Sequence, residues 1–139
     1  MSQALKSPAG QTVVQVSERY DSGVITLVAA NTAETSLVVL NTGVWREGVL
    51  LIKVTTLSAT TPQLIVNLWA LDNSGNRYPL PSAAPANNGF ISKAYTVVGA
   101  TRDNIPAPIG AQIEITYNTG TSSGATSIIF TVEAQFKSA

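Results

Sequence analysis

The chain has 139 residues, 45% of them hydrophobic and 12% charged, with eight basic against eight acidic side chains and neither histidine nor cysteine. Such a chain is outside the disordered class and long enough to bury one core without disulfides or zinc, and it lacks the usual general base, the thiol nucleophile and the common nitrogen and sulfur metal ligands. Catalysis would have to come from carboxylate pairs or a Ser/Lys arrangement, so a protein that binds or builds is expected rather than an enzyme, with no metal and no cofactor.

Lys and Arg are spread singly, so no basic stripe exists to neutralise a phosphate backbone, and no nucleic-acid partner is expected. A weakly charged surface promotes association, which predicts a homo-oligomer. Met1 to Pro8 hold no apolar core of signal-peptide length, and no later stretch approaches a membrane span. The expectation is a chain folded in the cytoplasm, with no membrane partner.

In chain order, residues 1 to about 20 are polar and hold one short apolar patch, Val13-Val14-Gln15-Val16, ahead of Tyr20. Two readings stay open for this segment: a first edge strand that covers Ile65 and Trp69, or an arm that pairs with a neighbouring subunit. The domain proper is expected over 21–139. Val24 to Ala30 and Ser36 to Leu40 are apolar runs rich in β-branched residues, with a turn predicted at Asn31-Thr32-Ala33-Glu34. Leu50, Ile52 and Val54 alternate with Leu51, Lys53 and Thr55, and Leu64, Val66, Leu68 and Ala70 alternate with Ile65, Asn67, Trp69 and Leu71. Period two of this kind marks half-buried strands. Phe90 to Val98 is a further candidate, and the runs Ile113–Tyr117 and Ile128–Gln135 alternate most cleanly.

Asp72-Asn73-Ser74-Gly75-Asn76 and Asn118 to Gly124 carry the residues that tight antiparallel turns need. Pro79 to Gly89 and Asn104 to Pro108 are expected to be surface crossings, because proline offers no ladder donor. About 7–8 strands with turn clusters between them and no helix predict an all-β fold, a single antiparallel β-sandwich, jelly-roll-like or Ig-like, with an extended N-terminal segment.

Several constellations mimic chemistry. Gly120-Thr121-Ser122-Ser123-Gly124 matches a nucleophile-elbow pattern, but no histidine exists to activate the serine. The Asp72 stretch has one carboxylate where a calcium loop needs several, and its closing position is Ala83. Glu114 and Glu133 are the obvious carboxylate pair, read as two solvated strand residues. Ser92-Lys93 would point to opposite faces of a strand. Trp45, Trp69, Tyr78, Tyr95 and Tyr117 are candidates for a sugar-stacking platform, which makes a carbohydrate-binding module one alternative function. Both faces of the strand carrying Trp69 are apolar, so its second face should be covered by the N-terminal segment or by another chain. The residues expected to bind partners are Val13, Val14, Val16, Tyr20, Ile65 and Trp69.

The stretch Gly48 to Tyr78 resembles a group of small tailed-bacteriophage virion proteins. In that group a strand ending in V-T is followed by a T-P step, an alternating L-x-V-x-L strand and a D-x-S-G-x-x-Y hairpin. The matching residues are Val54, Thr55, Thr61, Pro62, Leu64, Val66, Leu68, Asp72, Ser74, Gly75 and Tyr78. Leu80, Ser82-Ala83-Ala84 and the passage from Ile105-Pro106 to Ala134 extend the similarity to about two thirds of the chain. The chain departs from the group at Ala111-Gln112-Ile113, where an aromatic is usual, and over its first 45 residues. The resemblance implies a virion protein assembled in the host cytoplasm, a capsid decoration or accessory protein that docks on the major capsid protein or other virion proteins as a symmetric oligomer. A tail or neck component is the alternative within the virion.

Overall fold

The computed structural model describes residues 2–6, 12–43, 47–79, 91–105 and 112–137. Among them the chain is all strand and turn: β1 (Ser2–Lys6), β2 (Thr12–Asp21), β3 (Ile25–Leu27), β4 (Thr35–Asn41), β5 (Glu47–Thr60), β6 (Leu64–Leu71), β7 (Arg77–Pro79), β8 (Ile91–Tyr95), β9 (Gly99–Ile105), β10 (Gln112–Asn118) and β11 (Ser123–Lys137). Two antiparallel sheets form a sandwich, as the alternation predicts. One has the order β1-β2-β11-β5-β9 with β3 also on β11, and the other the order β4-β10-β6-β7 with β8 also on β6.

The core follows from the pleat. Successive side chains in a strand point to opposite faces, so every second residue of β5, β6, β10 and β11 faces the other sheet. Leu50, Ile52 and Val54 of β5 and Ile128, Phe130, Val132, Ala134 and Phe136 of β11 are buried against Leu64, Val66 and Leu68 of β6 and Ile113 and Ile115 of β10. Tyr117 meets Phe130 edge to face, with ring centroids 5.5 Å apart. Gly48 lies under the Phe136 ring, where a Cβ would come within 2.9 Å of it.

The connections are held by side chains. Ser22 joins β2 to β3: Val132 N–H donates to its Oγ (2.9 Å), and its own N–H donates to Val132 O (2.9 Å). Gly23, at φ 67°, supplies the left-handed step of this bulge. Ser122 Oγ accepts from Gln63 N–H (2.7 Å) and donates to Gln63 O (2.8 Å), which clasps the β5–β6 connection to the β10–β11 turn. The Gly120–Gly124 stretch is thus a turn whose serine is buried and committed to backbone.

Four sequence expectations need correction. The strand expected over Val24 to Ala30 runs only from Ile25 to Leu27, with Val24 and Val28 72% and 78% exposed. Asn104 and Ile105, read as a crossing, end the edge strand β9; Pro106 to Pro108 lie outside the described residues. Pro79 ends β7, which pairs only with β6 among the described residues, so its missing donor interrupts no ladder. The candidate at Phe90 to Val98 splits into β8 and the turn leading to β9.

Phe130 is fully buried at the centre of the sandwich, so Phe130→Ala is expected to lower stability by about 3–5 kcal/mol. Val39→Ala, on an outward position that is 48% exposed, should change it by about 0.5 kcal/mol or less, both measured by chemical denaturation.

Candidate partner-binding face

The outward face of the second sheet is assembled from four strands. In β6, Ile65, Asn67, Trp69 and Leu71 alternate with the buried set, and the β10 register sets Glu114 opposite Trp69 and Thr116 opposite Asn67. Ser36 of β4 lies opposite Thr116 and Val39 opposite Glu114, with a bulge at Leu37 between them. At the other margin, Arg77 of β7 lies opposite Leu71.

Glu34 is brought over this face by a pinned turn. Asn31 N–H donates to Thr119 Oγ1 (2.7 Å), Thr119 N–H returns to Asn31 O (2.9 Å), and Ala33 N–H donates to Asn31 Oδ1 (3.0 Å). The Glu34 Oε1 then accepts from Asn67 Nδ2 (2.7 Å), Trp69 Nε1 (3.1 Å) and Thr116 Oγ1 (3.0 Å). Arg77 closes the arrangement, donating from Nη1 to Glu34 Oε2 at 2.9 Å and from Nε to Glu114 Oε1 at 2.6 Å.

The electrostatics are those of a lock. Hydrogen bonding from Arg77, with a smaller contribution from Ser36, holds the Glu114 carboxyl below its ordinary value against the opposing effect of burial. Arg77 is correspondingly raised by its bond to Glu114. A general acid needs the opposite shift, and both carboxylates are already committed to donors. Glu133, the other half of the sequence-level pair, lies opposite Asp21 and Leu51 in the first sheet, on the far side of the sandwich from Glu114. The two cannot flank one bond.

The remaining chemistry-bearing residues are also dispersed. The Asp72 carboxylate accepts from Ser74 N–H (2.9 Å), Asn76 N–H (2.8 Å), Asn76 Nδ2 (3.0 Å) and Tyr78 Oη (3.1 Å), which closes the hairpin on itself. Tyr95 is buried and bonded to Thr101, and Lys93 pairs with Asp103 at 2.9 Å. Tyr117 faces the core, Tyr78 sits at the hairpin and Trp69 on the outer face, so these aromatics do not share one platform. Trp45 lies outside the described residues. Among the described residues no group of three or more acidic side chains is placed to hold a metal ion.

The expected partner-binding residues divide accordingly. Ile65 and Trp69 are half-buried on the outward face described above. Tyr20 packs against the core instead, and Val13, Val14 and Val16 lie in β2, whose stretch Thr12–Val16 pairs with β1. The described part of the N-terminal segment enters the first sheet through β11, at Ser17 to Asp21, whereas Ile65 and Trp69 belong to the second sheet. Glu34 and Arg77, which organise the outer face, carry no sequence signal beyond their charge: each sits alone in a turn or at a hairpin margin.

No family model matches the chain, and no curated protein matches it. Among solved structures it is similar to a protein of Bacillus endospore appendages, described as a family of disulfide-linked pili, at 11% identity over 90% of this chain and 91% of that one, TM-score 0.49. It is also similar to VP2 of the infectious bursal disease virus subviral particle (10% identity, 99% of this chain, 42% of that one, TM-score 0.49) and to a chain of the Gx strain of that virus (10% identity, 97% and 37%, TM-score 0.48). Likeness at this level does not extend to what the chain binds. The 139 residues contain no cysteine with which to make a disulfide link.

The lock should make stability acid-sensitive. A carboxyl whose pKa is depressed by folding adds stability above its unfolded value, here 4.5, and that contribution is lost as pH falls through the folded value. Asp21 and Asp72 are lowered too, so the comparison must be a difference. Glu114→Gln should melt below the wild type at neutral pH, and the gap should close as pH falls below the ordinary carboxylate range. Arg77→Met, which leaves two carboxylates without their cation, should cost about 1–2 kcal/mol at neutral pH, a figure reduced from that of a fully buried pair because Arg77 is partly exposed.

Proposed function

We propose that this is a non-enzymatic structural protein of a tailed-phage virion, a capsid decoration or accessory protein whose work is to bind the major capsid protein and copies of itself. The observation that carries the reading is the outward face of β6 and β10. A Trp, an Arg and apolar Ile65 and Leu71 stand there on a rigid sheet, with the indole and guanidinium already fixed by Glu34 and Glu114. Trp and Arg are the residue types that dominate binding hot spots, and fixing them before contact reduces the entropy lost on association. The commitment of the carboxylates to structural bonds supports a role without catalysis. The resemblance over Gly48 to Tyr78 supplies the virion: its matched residues lie in the middle of β5, in the β5–β6 connection, on the inward face of β6 and in the β6–β7 hairpin.

The N-terminal hairpin is a second docking element in this reading. β1 and Thr12–Val16 of β2 pair with each other, and on its other side that stretch of β2 has no partner among the described residues. Two strands alone are marginally stable in water, so a third strand from a neighbour would complete the hairpin. Repetition over a lattice gives avidity even where each contact is modest.

Particles purified from infected cells should hold the protein at a fixed, symmetry-compatible copy number; a protein found only free in the lysate would contradict the reading. A copy number of about a dozen or fewer would move it from the shell to the tail or neck. Deleting residues 1–16 should leave the melting transition intact and abolish particle binding. Deleting residues 1–24 should also destabilise the sandwich by about 2 kcal/mol or more, because Tyr20 and the Ser22–Val132 bonds go with them.

A further inference from the structure

Among the described residues both margins of the first sheet are open. There β9 pairs with β5 alone, and the lane beside β2 and β3 from Ser17 to Leu27 has no strand in it, since β1 reaches only to Ser2 opposite Val16. An unpaired margin is a template for another strand, and proteins normally guard it with proline, inward charge or a covering loop. Each margin has one charge on the inward set, Asp103 opposite Leu50 and paired with Lys93, and Glu18 opposite Phe136. Neither β9 nor β3 contains proline or lysine, and each margin adds exposed valines: Val97 and Val98 (72% and 56% exposed) before β9, Val24 and Val28 around β3.

The charges at the two margins are of opposite sign. Beside β9, Arg102 and Lys53 have no acidic partner among the described residues, while Asp103 is paired with Lys93. Beside β2, Glu18 and Asp21 outnumber Arg19. Pairing like margins about a two-fold axis would set like charges together, whereas pairing unlike margins sets opposite charges together.

We propose that β9 of one molecule adds antiparallel to the Ser17–Leu27 lane of a second copy, with Arg102 opposite Asp21. This deepens the proposed function, on which it rests, by naming the self-contact of the oligomer. The register satisfies three independent features at once. Arg102 and Asp21 both belong to the outward set of their strands, lying opposite Leu51 and Glu133 respectively, as residues directly opposite in an antiparallel pair must. The chain steps by one residue at the Ser22–Val24 bulge, where Asp21 opposite Glu133 is followed by Ile25 opposite Phe130, so Val98 falls beside Thr26 and Val97 beside Leu27, between the exposed Val24 and Val28. Continuing the alternation of β9, Val98 shares the outward set with Thr26. Ile105, the last residue of β9, falls opposite Glu18, so the incoming strand ends before it meets Ser2 of the resident β1. A parallel addition with the same charge pair would instead set Val98 beside Ser17, away from Val24 and Val28. The contact is head-to-tail, so it builds rings or open chains rather than an isolated two-fold dimer.

A chain without cysteine makes the test direct, on purified protein and without particles. Val98→Cys and Thr26→Cys place thiols at opposed, exposed positions of the proposed register. Oxidising a mixture of the two variants, one of them tagged, should give the mixed dimer in large excess over either same-site dimer, and the yield should fall as salt is raised. Arg102→Glu on the Val98→Cys chain should lose the mixed product, and combining it with Asp21→Arg on the Thr26→Cys chain should restore it, with unchanged melts showing that each variant is folded. Equal yields of same-site and mixed dimers, no cross-link at any concentration, or a mixed product indifferent to the charge swap would overturn the proposal. Because the particle assay is separate, loss of this contact and failure of the virion reading give different results.

Discussion

The antiparallel pair of β5 and β11 is the element on which the rest of the molecule is built. Its ladder runs from Ser123 against Thr60 to Lys137 against Glu47 and carries one buried face from Ile128 to Phe136 and from Gly48 to Val54. Because side chains alternate, a slip of β11 by one residue against β5 would turn Ile128, Phe130 and Val132 out to solvent and bring Thr131 and Glu133 into the core. The register is therefore fixed by burial, and the two bulges in it, at Thr55 and between Ser123 and Ser127, fall toward one end of the ladder and leave the run from Phe130 to Lys137 regular. β9 attaches to one side of the pair, β2 and β3 to the other, and the second sheet stacks on its inward face.

Polar groups on the opposite face of the second sheet show how a sandwich with few charges keeps its loops in place. Glu34 spans from the β3–β4 connection to β6, β10 and β7 through a single carboxylate, so one side chain ties a turn, two central strands and a hairpin together. A lone, partly buried carboxylate would be costly, and here the cost is offset by three neutral donors and by Arg77, which also neutralises Glu114. The outward face is thus rigid where it displays Trp69, and it has no carboxylate left for acid–base work.

How much of this was readable from residues alone follows from which forces decide each element. β5, β6, β10 and β11 are central strands with one face in the core, and their alternation stands out in the sequence. β9 is the opposite case: Gly99-Ala100-Thr101-Arg102-Asp103-Asn104-Ile105 has little apolar alternation, because an edge strand buries little and is held by its ladder with β5. β2 was legible only as the patch at Val13 to Val16, since its bonds to β11 involve Ser17 to Asp21, a polar run whose pairing is decided by residues more than a hundred positions away. The expectation that Trp69 stands on the face opposite the core holds because it needs only period two. That Glu34 would reach it depends on the pinned turn at Asn31 and Thr119, which no local pattern announces.

A protein built this way presents surfaces fixed by a stiff interior, while the margins of its first sheet are open among the described residues. Amide hydrogen exchange in dilute solution tests that division most directly, because protection reports local opening free energy strand by strand. The slowest amides should be the ladder donors of β5, β11, β6 and β10, with the outward amides of β9 and of Ser17 to Leu27 exchanging orders of magnitude faster. Equal protection of those margins with the central strands in dilute protein would contradict the account, since it would mean that the edges described here are already covered within one chain.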